Sequence, residues 1–222
     1  MEKIKQYFLP TFMLVSSIIL LVVGVPRFLH ELMLVPGTPI HERVSRGENV
    51  SDEDLDVLED SRLQALKFAE LPAAYSDLGA SYLVRAQRAT TDADRKMFAE
   101  KSIEASTTSV EMAPLNTFAW ARITTANIIL GAENYPEAAR AWRLSIATAR
   151  FEPFLLTQRV HMGILLYDQL TEEDIALLKN QLGMAYRWNK KQTRRYAQQQ
   201  QLTEWFVFLS EEGSEAAKYF AQ

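Results

Sequence analysis

The chain has 222 residues, 48% of them apolar and 23% charged, a balance that suits a packed protein and argues against general disorder. With only 8 Gly and 8 Pro, neither a turn-rich sandwich nor a Gly-rich phosphate-binding enzyme is expected, and the absence of Cys excludes disulfides, thiolate metal sites and Cys nucleophiles. A net charge of −4 leaves no overall electrostatic footprint for nucleic acid.

Residues 7–25 read YFLPTFMLVSSIILLVVGV, nineteen positions without a charge. As a helix this run spans about 28 Å, close to the roughly 30 Å hydrocarbon core of a bilayer. Three readings compete. A buried core helix of this length would show a polar face, and none is visible. A cleaved signal peptide would have a shorter apolar region and a small-x-small cleavage site, whereas only Val23 and Val25 could fill those positions. A retained single-span anchor in the lipid bilayer fits best. Lys3 and Lys5 stand against Arg27, Arg43 and Arg46, so charge alone does not orient the span. A short N-terminal tail before a large domain favours a cytoplasmic N-terminus. The expected location is therefore a bacterial inner membrane, crossed once, with the C-terminal domain in the periplasm.

The expected organisation is an anchor with its tail over 1–27, a juxtamembrane connector over 28–50 and an all-α domain over 51–222. Within the connector, Phe28 to Val35 continues apolar but is broken by His30 and Glu31, and either prolongs the span or lies in the membrane interface; Pro36-Gly37-Thr38-Pro39 is a turn signal, and residues 40–50 read as polar linker. Ser51 with Asp54 forms a capping box, and Asp52, Glu53 and Asp54 match the helix dipole. Leu55, Leu58, Leu66 and Phe68-Ala69 fall roughly on one face of the helix that follows. Further helices are expected near 73–88, 92–112, 116–131, 135–149, 153–169, 172–188 and 190–200, with short ones near 202–210 and 213–221. Thr171 with Asp174 is a second capping box, and Gly131 and Gly213 mark helix breaks. No alternating β-branched run is long enough for a strand.

Helix pairs with a period near 35–40 residues suggest a helical-repeat solenoid. Tyr75, Leu78, Gly79 and Tyr82 have the spacing of the first helix of a tetratricopeptide repeat (TPR). Pro114 closes a second helix that carries Ala99, Ser102, Ser106 and Ser109. The next unit has Trp120 and Ile123, but Thr124 stands at the Gly position; Tyr135, Ala138, Trp142 and Ser145 then match, and Pro153 follows. Residues 73–153 thus resemble TPR units, in which small residues let two helices approach and a large aromatic fills the gap between pairs. Residues 154–222 match no repeat and are expected to cap the array.

The anchor, FLHELMLVPGTPIHERVSRGE, AWARITTANIILG and WRLSIATARFEPFLLTQRV together look like small membrane-anchored TPR-like proteins encoded beside O-antigen ligase or polymerase proteins in bacterial surface-polysaccharide loci. That resemblance implies a cellular neighbourhood and assigns no catalytic residue. The expectation is a non-catalytic scaffold or adaptor of the cell envelope, assisting exopolysaccharide or O-antigen assembly by binding a protein partner in the inner membrane or periplasm. The alternatives are a TPR subunit of another envelope complex, such as cytochrome maturation or motility, and a helical polysaccharide-processing enzyme. The enzyme would need two carboxylates across one groove, roughly 5–9 Å apart; Glu104, Glu111, Glu133 and Glu137 are available, but no spacing pairs them.

His30, His41 and His161 have no metal-ligand spacing, and no hydrolase, zincin, Walker or dinucleotide motif is present, so no metal or cofactor is expected. Glu152-Pro153 reads as a helix start. Arg187, Lys190, Lys191, Arg194 and Arg195 place five basic residues in nine, interleaved with Tyr186, Trp188 and Tyr196. This segment suits an acidic protein surface, an anionic lipid or a polysaccharide, and nucleic acid is not expected outside the cytoplasm. The competing reading is a solvated basic helix with aromatics packed inward. Trp205, Phe206, Phe208 and Leu209 are expected to form a capping core.

Overall fold

A computed structural model describes the backbone of residues 2–221 and the side chains of residues 9–221. The charges of Glu2, Lys3 and Lys5, and the first two side chains of the apolar run, lie outside the described residues. Among those described the protein is all-α. Its helices are α1 (Glu2–Leu34), α2 (Thr38–Ser45), α3 (Asp52–Leu66), α4 (Pro72–Arg88), α5 (Asp92–Met112), α6 (Thr117–Leu130), α7 (Tyr135–Thr148), α8 (Leu156–Leu165), α9 (Glu172–Gln199), α10 (Thr203–Leu209) and α11 (Glu215–Phe220).

One helical run, Leu9–Ser45, is long and apolar enough to cross a membrane, and its most apolar stretch is nowhere buried against the rest of the protein. Exposed Leu, Ile, Val and Phe side chains on every side of that stretch are consistent with a single membrane anchor or a signal sequence.

The helix outlasts the expected span. It continues through Pro26 to Leu34, turns once over Val35–Gly37 and resumes as α2. The polar linker expected over 40–50 is instead a packed element. Ile40 and Val50 are buried with Leu55 and Leu58, and Val44 and Val84 close over them. The reason is an apolar pair at i and i+4, Ile40 and Val44, which gives even this short polar helix one face to bury. Gly37 makes the close approach possible: a Cβ there would fall 2.2 Å from Ser61 Oγ and 3.1 Å from Leu58 Cα.

Helix ends follow local chemistry. Ser51 with Asp54 and Thr171 with Asp174 form complete capping boxes. Gly131 ends α6 at φ +113°, and Gly213 lies at φ +74° in the turn between α10 and α11; a Cβ would be strained at both. Two expectations fail in this respect. Phe68 leaves the α3 face and is 40% exposed, because α3 stops at Leu66. Pro153 lies in a turn rather than at a helix start: α8 begins at Leu156, and Glu152 instead accepts the Phe154 N–H at 3.4 Å.

The helices from α4 to α7 pack each on the next. At the α4–α5 contact Gly79 lies against Ser102 and Ser106, and Ser102 Oγ donates to the Gly79 carbonyl at 2.8 Å. The largest apolar cluster gathers Trp142, Val160, Leu166, Leu178, Leu182 and Phe206 from α7 onward, and Phe220 of α11 closes it. The expected capping core is half realised: Phe206 and Leu209 are buried, Trp205 is half-buried, and Phe208 is 60% exposed.

Candidate partner-binding surface

α9 carries the basic segment and bends in its middle. Asn189 leaves helical geometry at φ −153° and ψ 81°, between the two helices expected over 172–188 and 190–200. Its side-chain oxygen accepts the Gln192 N–H at 3.1 Å, so Asn189 serves as N-cap of the second half. Thr193, 2% exposed, donates to the carbonyls of both Ala185 and Asn189 and ties the two halves together. Burial of Thr193 and Ala197 on the inner face leaves Arg187, Lys190, Lys191 and Arg195 outside, with Arg194 half-buried.

Lys190 Nζ and Arg194 Cζ stand 5.4 and 5.3 Å from the centre of the Tyr219 ring on α11. Tyr219 is half-buried, and stacking near the surface contributes about 0.5–1 kcal/mol per cation, enough to orient both side chains without neutralising them. No ion pair within 4.0 Å joins any of the five cations to a carboxylate among the described residues. Some arginines elsewhere do meet carboxylates, as in Arg85 with Asp56 and Glu59, Arg43 with Asp54, and Arg143 with Asp174.

Of the interleaved aromatics, Tyr186 and Tyr196 turn inward. Tyr186 packs on Tyr219 and Phe220, and Tyr196 shares a 3.0 Å hydrogen bond with His161. Trp188 turns outward, 59% exposed, with its ring edge-on to Phe151 at 5.4 Å.

A groove of about 560 Å³ adjoins the segment. One wall is the face of α9 that carries Lys179, Asn180, Gly183 and Arg187; Leu209 to Glu211, Ser214 and Ala216 form the other. Leu182 and Leu209 make an apolar floor, each 2% exposed. A Cβ on Gly183 would lie 3.4 Å from Arg187 Nη1, an ordinary van der Waals distance, so the arginine lies back over this turn of α9. Lys179 and Arg187 bring positive charge to the groove's rim and Glu211 brings negative charge. Sequence reasoning missed it. The one local signal was a glycine four residues before Arg187, which in a helix interior asks for a packing reason.

Two arginines of the interior have structural partners. Arg159 is wholly buried and donates to Ser145 Oγ at 2.9 Å, to the Ala149 carbonyl at 2.8 Å, and to Thr117 Oγ1 and the Ser145 carbonyl. Burial pushes its guanidinium down to about 10, still charged at neutral pH. Arg122 is also lowered to about 10 by burial against the opposing pull of Asp77, and donates to Ser76 Oγ at 2.7 Å. His30 shares a hydrogen bond with the Ala65 carbonyl, and His41 lies 3.3 Å from Asp77. Among the described residues no three His, Asp or Glu side chains gather as a metal site. Glu104, Glu111, Glu133 and Glu137 are all exposed, and Glu137 faces Arg140 at 3.6 Å.

No protein family, curated protein or solved structure matches this chain.

Proposed function

We propose that the protein is a non-catalytic, membrane-anchored adaptor of the bacterial cell envelope that captures an acidic partner protein on the basic face of α9. The carrying observation is the row Arg187, Lys190, Lys191 and Arg195, exposed and free of any carboxylate among the described residues, beside a groove with an apolar floor. Unpaired cations around an apolar slot supply steering and a seat, the two things a protein interface requires. In this reading α1 is retained as a single inner-membrane span, and the helices beyond it form a TPR-like array in the periplasm. The TPR-like spacing over 73–153 supports the array. The resemblance to anchored proteins encoded in surface-polysaccharide loci supports a partner engaged in exopolysaccharide or O-antigen assembly.

The test reverses Arg187, Lys190, Lys191, Arg194 and Arg195 to Glu in the full-length protein, followed by recovery from mild detergent. Helicity should be unchanged, because exposed charges contribute only about 0–1 kcal/mol each to folding. An acidic protein recovered with the wild type should be lost from the variant, and lost from the wild type as salt shortens the Debye length. A folded variant that keeps its partner at low salt overturns the reading. Wild-type binding to phosphatidylglycerol vesicles, with no protein recovered, reassigns the surface to lipid.

A further inference from the structure

The guanidinium of Arg122 reaches from α6 to α4, and only one of its nitrogens is used. Nη1 donates to Ser76 Oγ at 2.7 Å, whereas Nε and Nη2 have no acceptor among the described residues. Ser76 Oγ also accepts the Asn116 Nδ2–H at 3.2 Å. The Asn116 side-chain oxygen accepts the Ala119 N–H, which fixes the sense of that amide. Both lone pairs of the hydroxyl are therefore filled by donors, and its own hydrogen has no acceptor among the described residues. Donors gather here with nothing to receive them.

Three other arginines show what the open edge of Arg122 is suited to hold. Nε–H and Nη2–H lie side by side and point the same way, a fork that matches the two oxygens of a carboxylate. Arg62 places both on Asp77, and Arg85 places Nε on Glu59 and Nη2 on Asp56. Arg159 has no carboxylate but fills Nε with Ser145 Oγ, and Nη2 with Thr117 Oγ1 and the Ser145 carbonyl. Arg122 alone of these four leaves the fork empty.

No carboxylate of the chain closes it. Asp77 is the anion whose charge is felt at Arg122, but Asp77 is already engaged. Its Oδ2 takes Arg62 Nη2 and Nε at 2.9 and 3.0 Å, and its Oδ1 stands 3.3 Å from His41 Nδ1. Among the described residues no Asp or Glu oxygen lies within 4.0 Å of an Arg122 nitrogen. Arg62, Arg122 and Asp77 together leave one positive charge over. Withdrawing a cation from water is costly unless a counter-charge meets it. Arg122 is half-buried, and Nε and Nη2 still reach solvent, so an anion from outside can meet it.

Charge and shape select that anion. A carboxylate brings one negative charge and two coplanar oxygens, which balance the excess and match the fork. A phosphate monoester brings about two charges, and Asp77 repels the second. Phe118, one turn before Arg122 on the same face of α6, is exposed and offers an apolar surface to the carbon skeleton of an acid.

We infer that Arg122, held from behind by Ser76, binds the free carboxylate of a ligand, seated bidentately on Nε and Nη2 at the contact of α4 and α6. The site is separate in residues from the basic surface of α9 and does not depend on the anchor.

The test titrates full-length protein in neutral detergent with sodium acetate, acetamide and sodium phosphate at constant ionic strength, and reads the thermal midpoint. Acetate should raise the midpoint saturably, acetamide should not, and phosphate should bind at least about threefold more weakly. Arg122→Lys keeps the charge and loses the fork, and Arg122→Met loses both; each should weaken acetate at least about tenfold. Ser76→Ala should weaken it at least about threefold, and decides the matter should the arginine variants fail to fold. N-acetylleucine and glucuronate, run against N-acetylleucinamide and glucose, separate a polypeptide terminus from an acidic sugar by which acid binds tighter. Acetate stabilisation that is absent, unsaturable or unchanged in the folded variants overturns the site. A preference for phosphate overturns its assignment to carboxylates.

Discussion

Arg62 and Asp77 meet at 2.9 Å between α3 and α4, and the same guanidinium donates to the carbonyl of Leu34, the last residue of α1, at 2.8 Å. Arg62 is 2% exposed. One buried cation thus fastens the end of the apolar helix to the domain and satisfies a carbonyl that the helix terminus leaves open. Asp77→Ala strands that cation, and the expected cost is about 3–5 kcal/mol of unfolding free energy, read from the urea midpoint. Arg62→Met with Asp77→Leu should recover most of the loss, since no charge is then left unpaired. A double variant as unstable as the single one would contradict this account.

The two tryptophans singled out as core residues differ in the folded protein. Trp142 is wholly buried and donates Nε1–H to the Arg159 carbonyl at 2.8 Å. Trp120 is half-buried and donates to the Pro114 carbonyl at 2.9 Å. Trp142→Ala should cost about 3–5 kcal/mol through loss of apolar burial and the cavity left behind. Trp120→Ala should cost about 1–2 kcal/mol, because part of its surface is already in water. Equal losses by thermal denaturation would count against the assigned packing.

Gly79 sets the distance between α4 and α5. A Cβ at this position would lie 2.3 Å from Ser106 Oγ and 3.3 Å from the Ser106 backbone nitrogen. Ser106 Oγ is itself buried without a hydrogen-bond partner among the described residues. Gly79→Ala should therefore destabilise by about 1–3 kcal/mol through overpacking, despite the better helix propensity of alanine. Ser106→Ala alone should be neutral or stabilising, and in combination it should relieve most of the Gly79→Ala loss. A double-mutant cycle with no coupling would refute the close contact.

His161 supplies a pH dependence. Burial lowers its pKa from the ordinary 6.5. The unfolded chain therefore takes up this proton first as pH falls, and the stability the neutral imidazole contributes is full above 6.5. It is lost progressively below that value, down to the folded-state pKa. His161→Gln should flatten this part of the stability profile in urea titrations between about pH 7 and pH 5. An unchanged slope would place the acid sensitivity elsewhere.

Much of the architecture could be read from local chemistry. An uncharged stretch announces an exposed apolar helix, because no arrangement of a small domain hides nineteen such residues on every face. Ser51, Asp54, Thr171, Asp174 and Gly131 mark helix ends because caps act within three or four residues, and Gly213 marks the turn between α10 and α11. The basic cluster on α9 was visible by count, and the bend at Asn189 falls between the two helices expected there.

Only tertiary structure decided which side of each helix meets what. The segment over 40–50 looked like polar linker because its apolar residues are few, yet Ile40 and Val50 find Leu55 and Leu58. Arg62 looked like one charge among many, and its acceptor at Leu34 lies twenty-eight positions away. The groove beside Arg187 needs Leu209 and Ser214, brought to α9 by the chain's return through α10 and α11. Caps and hydropathy are settled within a turn or two of helix. Burial, ion pairing and grooves depend on where distant segments come to rest, and that depends on the summed packing of the whole chain.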